Sequence, residues 1–150
     1  MASNYRRVNI DGKSLYKTET RETNVALLPG TFVVINAANK WVQSTALTGR
    51  IYVLDSAYTQ GLTIRDAVPA GDSGIGNYVE EGREFAILCP AGTYKKDDPI
   101  KLGTAGQGAK ATSDTDSVIG YSQDDAVIAS GQTDFIRVRM RVGTVAPATP

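Results

Sequence analysis

The clearest periodicity in the chain lies at its end. Phe135-Ile136-Arg137-Val138-Arg139-Met140-Arg141-Val142 alternates strictly. Ile136, Val138, Met140 and Val142 fall on one side, and Phe135, Arg137, Arg139 and Arg141 on the other. A period of two predicts a half-buried strand. Further back the apolar runs are short, rich in Val and Ile, and bounded by turn residues. Pro29-Gly30 is a turn signal, and Thr31 to Ile35 after it is strand-like. Trp41-Val42 and Arg50 to Asp55 read as further strands. Leu62 to Val68, stopped by Pro69, is the best place for a short helix or turn. Gly71 to Gly76 reads as a loop. Glu84 to Leu88 reads as a buried strand, and Pro99-Ile100-Lys101-Leu102-Gly103, Val118 to Ser122 and Ala126 to Ala129 as short ones. About eight or nine strands at this spacing predict an all-β fold, a compact barrel or sandwich of short antiparallel strands.

The first two dozen residues break the pattern. They are polar, and Val8, Ile10, Leu15 and Tyr16 are their main apolar points. Such a segment buries little by itself, so residues 1–24 read as an extended N-terminal arm or a pair of edge strands. The core domain then spans 25–142, and 143–150 is an extended C-terminal tail. One echo stands out: Leu28-Pro29-Gly30-Thr31-Phe32 resembles Cys89-Pro90-Ala91-Gly92-Thr93-Tyr94. It reflects duplicated hairpins or the shared chemistry of turns.

Composition narrows the function. A chain of 150 residues suits one domain. Formal net charge is zero, with 16 Lys+Arg and 16 Asp+Glu. Phosphate-backbone binding calls for a cationic surface, so balance argues against nucleic acid, and equally against a polybasic membrane anchor. The balance hides a gradient. Residues 1–50 carry seven Lys/Arg against three Asp/Glu, and residues 51–100 carry four against eight. The positive first third and the negative middle can attract each other within one chain or between copies. No apolar run approaches the ~20 residues of a membrane span. No signal sequence is apparent, and the expected setting is the cytosol or something assembled there.

Catalytic chemistry has little to work with. There is no histidine, so no Ser-His-Asp or Cys-His pair and no imidazole ligand. The single cysteine, Cys89, ends an apolar run and reads as a small buried hydrophobe. Glu80-Glu81, Asp97-Asp98 and Asp124-Asp125 are adjacent pairs, which a strand would point to opposite faces; they read as loop charge. Ser113 to Ser117 lacks the glycine and distal glutamate of a calcium loop. Gly103 to Gly108 lacks the lysine of a phosphate loop and reads as a flexible hairpin tip. No enzyme activity, cofactor or metal is expected.

The arginine row is different. Like charges two apart on one strand face repel. Arg137, Arg139 and Arg141 therefore need either acids on the neighbouring strand or a partner across an interface. Arg6 and Arg7, with Tyr5 as an aromatic anchor, are similar candidates in the arm.

Three stretches taken together point to a family: Leu27-Leu28-Pro29-Gly30-Thr31-Phe32-Val33; Gln60-Gly61-Leu62 followed by Ala70-Gly71-Asp72; and Val118-Ile119-Gly120-Tyr121 through Asp134 to Met140. In style and order they resemble the head decoration (cement) proteins of tailed bacteriophages. The resemblance implies a small β-rich unit on the outer surface of an icosahedral capsid. Such a unit is a dimer or trimer that locks neighbouring major capsid protein subunits together, and the family has no enzymatic residues to carry over. The rival expectation is a carbohydrate-binding or adhesin-like β-module. That function wants an exposed aromatic platform, for which Trp41, Tyr52 and Tyr58 are the available set.

Overall fold

The computed structural model describes residues 3–8, 17–47 and 50–143. Ile10, Leu15 and Tyr16 lie outside the described residues, as do residues 144–150 of the expected tail and the side chain of Val142. The ten strands are β1 (Thr18–Glu22), β2 (Phe32–Ile35), β3 (Trp41–Gln43), β4 (Tyr52–Leu54), β5 (Ser73–Tyr78), β6 (Glu84–Tyr94), β7 (Pro99–Leu102), β8 (Gly108–Lys110), β9 (Val118–Ser122) and β10 (Ala126–Gly143). They form two five-stranded sheets, ordered β1-β5-β4-β2-β3 and β6-β10-β9-β7-β8. All the strand pairings are antiparallel. The chain is all-β, as its short β-branched runs predict. The first sheet comes from the first half of the chain and the second from the second half. The second sheet curls until it is nearly a barrel: a methyl placed on Gly108 of β8 would meet Ile87 of β6 at 2.8 Å.

Alternation along the strands builds two layers of core. Phe32 and Val53 of the first sheet pack with Phe85, Ile87, Ile100, Ile136, Val138 and Met140 of the second. On the first sheet's other face, Val33, Trp41, Tyr52 and Leu54 pack with Leu27, Ala57 and Val68 from the loops. That sheet is therefore buried on both faces, which explains why β2 and β4 read as unbroken apolar runs.

The glycine run at 71–76 corrects an expectation. It reads as a loop, but Ser73–Tyr78 is strand β5. The cause is Trp41. Its indole lies across β5 and donates from Nε1 to the Gly74 carbonyl at 2.8 Å. A Cβ at Gly76 would stand 2.5 Å from the ring. Glycine here makes room for an aromatic side chain and does not mark a turn. At 62–68 there is a turn, with the Asp66 carboxylate accepting from the Thr63 backbone N–H; the 3₁₀ helix sits just before it, at Tyr58–Gln60.

The two echoed stretches do different work. Gly30, in the left-handed region at φ +76, donates to the Leu54 carbonyl of the first sheet at 2.8 Å. Its own carbonyl accepts from Leu88 of the second at 2.9 Å. Pro90 to Tyr94 instead lies within β6. Within the segment read as an arm, Thr18–Glu22 pairs with β5 as an edge strand. Residues 3–8 run without regular secondary structure.

Candidate assembly surface

Strand β10 carries the arginine row because its alternation turns Ile136, Val138 and Met140 inward, all buried. Arg139 and Arg141 are exposed, and Arg137 is half-buried. Register with β6 sets Arg139 directly opposite Glu84 and Arg137 opposite Ala86. The Glu84 carboxylate sits between the two cations. Arg137 Nε donates to its Oε2 at 2.6 Å, and Arg139 donates to its Oε1 from Nη2 at 2.7 Å and from Nε at 3.0 Å. Burial pushes the Glu84 carboxyl up, but the hydrogen bonds from Arg139 and Arg137 outweigh it and hold the group below its ordinary range. A single acid on the neighbouring strand thus compensates two members of the row. Arg141 has no ion pair among the described residues.

The N-terminal segment reaches the same patch. Tyr5 donates its hydroxyl to Asp124 Oδ2 at 2.5 Å, and that carboxylate also accepts the Arg137 backbone N–H at 2.9 Å. Burial first, and then the Asp124 acceptor, push the Tyr5 phenol well above its ordinary range, so it remains a donor. Ser3 is held at Asp134, whose carboxylate accepts from the Ser3 backbone N–H at 2.6 Å and from its hydroxyl at 2.9 Å. Arg65 pairs with Asp134 at 2.9 Å and lies over the Phe135 ring. Val8 is fully buried, and its carbonyl accepts from Ala86 of β6 at 2.9 Å.

Of the six candidate residues, Tyr5, Arg137 and Arg139 meet in one patch through Asp124 and Glu84. Arg7 is drawn elsewhere and covers the Tyr58 ring at 4.5 Å. Arg6 and Arg141 are exposed. Sequence reasoning asked for acids beside the row but did not find Glu84, although it is the one acid in the run Glu84 to Leu88. Asp124 reads only as loop charge and Asp134 is not singled out by the sequence, because their roles depend on which strand lies beside them.

The other candidates resolve simply. Trp41 and Tyr52 are fully buried, 4.8 Å apart in an edge-to-face pair, so they cannot form a sugar platform. Asp116 accepts from the backbone N–H groups of Thr112 and Ser113 and pairs with Lys101, as a polar turn would. Gly103 to Gly108 is a tight connection: Thr104–Gly106 is a 3₁₀ turn, and Gly106 and Gly108 are buried. Burial pushes the Cys89 thiol up to about 12, so it stays protonated and weakly nucleophilic. No group of three or more His, Cys, Asp or Glu among the described residues is placed to hold a metal ion.

No curated protein matches the chain. Among solved structures, the crystal structure of the head fiber gp8.5 N base in bacteriophage phi29 has a similar fold, with a TM-score of 0.50 at 12% identity, over 86% of this chain and 97% of that one. A family model matches residues 2–140, which take in the Tyr5 segment, both sheets and the arginine row through Arg139, and by that match the chain belongs to the XM1 gp53 minor capsid protein family.

Proposed function

We propose that this phage head protein is a decoration, or cement, protein. It binds the outer surface of the icosahedral shell and bridges neighbouring major capsid protein subunits, as a dimer or trimer and by binding alone. Membership of a minor capsid family supports a role on the head, and the neighbouring phi29 protein is described as the base of a head fiber. The observation that carries the reading is the cation row on β10. It stands on a strand paired along both edges, and Glu84 orients two of its guanidinium groups and leaves Arg141 open. Fixed arginines recognise carboxylates with little ordering cost. Arg6 in the N-terminal arm (residues 1–24) and the tail (143–150) extend the contact. Many copies on a repeating shell turn modest single contacts into lasting attachment.

Cryo-electron microscopy of heads lacking this protein, mixed with purified protein, tests the reading. Added density on the outer surface between shell subunits is expected. Density confined to the portal or the interior, or none at all, would overturn it.

A further inference from the structure

Beside the Tyr5 patch the β6–β10 ribbon folds back on itself. Ala126 to Ile128 pairs with Gly92 to Tyr94, and Thr133 to Arg139 pairs with Glu84 to Pro90; the register slips between Ile128 and Thr133. The Asp124–Arg137 hydrogen bond closes the fold. A cleft of about 690 Å³ results, with Ser3 to Tyr5, Ala126 to Ala129 and Asp134 to Ile136 among its walls.

Three features of this cleft ask for an occupant. The first is backbone. Strand β9 pairs with β10 only from Val138 onward, so Ala126 to Ile128 has β6 on one edge and no described strand on the other. An open edge is a template for strand addition. The second is apolar exposure: Val127 is 67% exposed, the most of the exposed large hydrophobic residues described. The third is charge. Asp124, Asp125 and Asp134 line the cleft, and no Lys or Arg does. Asp134 is matched by Arg65, but neither Asp124 nor Asp125 forms an ion pair among the described residues. An extended segment with a cationic side chain beside small apolar ones satisfies all three.

We infer that this cleft receives such a segment from the major capsid protein, which adds as a strand along Ala126 to Ala129 and sets a Lys or Arg against Asp124 and Asp125. The inference rests on the decoration reading. It adds a second contact of opposite charge next to the arginine row, so the attachment face reads both acidic and basic groups of the shell.

The test places a photo-crosslinking benzoyl-phenylalanine at Val127, or at the exposed Val25 as a control, and mixes each protein with heads lacking it. Co-sedimentation reports attachment, and the crosslinked product reports the occupant. A crosslink from position 127 to the major capsid protein, absent from position 25, is expected. Asp125→Asn keeps an acceptor for the Lys96 N–H and removes the charge; it should weaken head binding by about tenfold, as loss of a close charge pair does. Attachment without a crosslink at 127, a crosslink only between two copies of this chain, or unchanged binding of Asp125→Asn would overturn the inference and leave head attachment standing. Failure to sediment with heads would overturn the decoration reading and this inference with it.

Discussion

A methyl group added at Gly76 would stand 2.5 Å from the Trp41 ring, and one at Gly74 would stand 3.0 Å from it. The indole is fully buried and fixed by its hydrogen bond to Gly74, so it cannot swing aside. Gly76→Ala should therefore cost about 1–3 kcal/mol, the usual range for overpacking, read as a lower melting temperature by circular dichroism. Gly61→Ala separates the two causes: nothing lies within 4 Å of its added Cβ, but φ is +78, so its loss of about 1–2 kcal/mol reports backbone strain without overpacking. The sequence holds both partners of this contact but not the contact: Trp41 and Gly76 are 35 positions apart, and glycine is the residue that usually signals a loop. Glu84 is a second case. Glu84→Gln keeps the shape and one acceptor but removes the charge between Arg137 and Arg139. Both guanidinium groups are largely solvated, at 42% and 55% exposure. Screening therefore limits the loss to about 1 kcal/mol or less. The sign with pH follows from the lowered carboxyl. The stabilisation is present above about pH 4.5, the ordinary glutamate value, and is lost as pH falls through the lower folded value. The melting temperature of Glu84→Gln should converge on that of the wild type in acid.

At the scale of elements, the N-terminal segment is more than an appendage to the body. Val8 has no exposed surface, its carbonyl caps the free edge of β6, and its N–H bonds to the buried Asp55 carboxylate. Val8→Ala removes two buried methyl groups and should cost about 1.5 kcal/mol at ~0.8 per buried carbon, measured by urea denaturation. Removing residues 1–8 altogether should lower stability further, because Ala86 would lose its acceptor and Asp134 its two Ser3 donors. A truncation that fails to attach to heads would then report unfolding as much as lost contact, so Arg6→Glu is the cleaner probe of the arm. The second half of β10 is legible from its alternation, since a period of two survives any tertiary arrangement, but its continuity with Ala126 to Ala129, which read as a separate strand, is not. β5 is not legible, and neither is the fold in the β6–β10 ribbon. Pro90 and Gly92 read as ordinary turn residues, and only the pairing of both arms with one neighbour makes them a bend within a continuous strand.

At the scale of the whole molecule, neutral net charge conceals an uneven surface. Six carboxyls, Glu19, Asp66, Glu84, Asp98, Asp116 and Asp134, are held below their ordinary values by cations, hydroxyls and backbone donors. Asp55 runs the other way, raised by burial, so its cost appears only as pH rises past the ordinary 3.8. Six against one means that stability should fall below about pH 4.5 as the lowered groups take up protons. Attachment should follow a different rule. Reversing the two most exposed members of the row, Arg139→Glu with Arg141→Glu, leaves the inward face of β10 untouched and presents like charge to the carboxylates that the proposed contact requires. Head binding at low salt should fall by about tenfold or more, chiefly through slower association, since charge at an exposed contact acts mostly on the encounter. At 1 M salt the Debye length is about 3 Å, and the gap between variant and wild type should narrow. A gap that persists at high salt would mean that the row acts through its packing and not its charge. Equal binding at low salt would mean that the shell does not meet β10 at all. The row would then be what Glu84 already makes of two of its members, an internally compensated outer face.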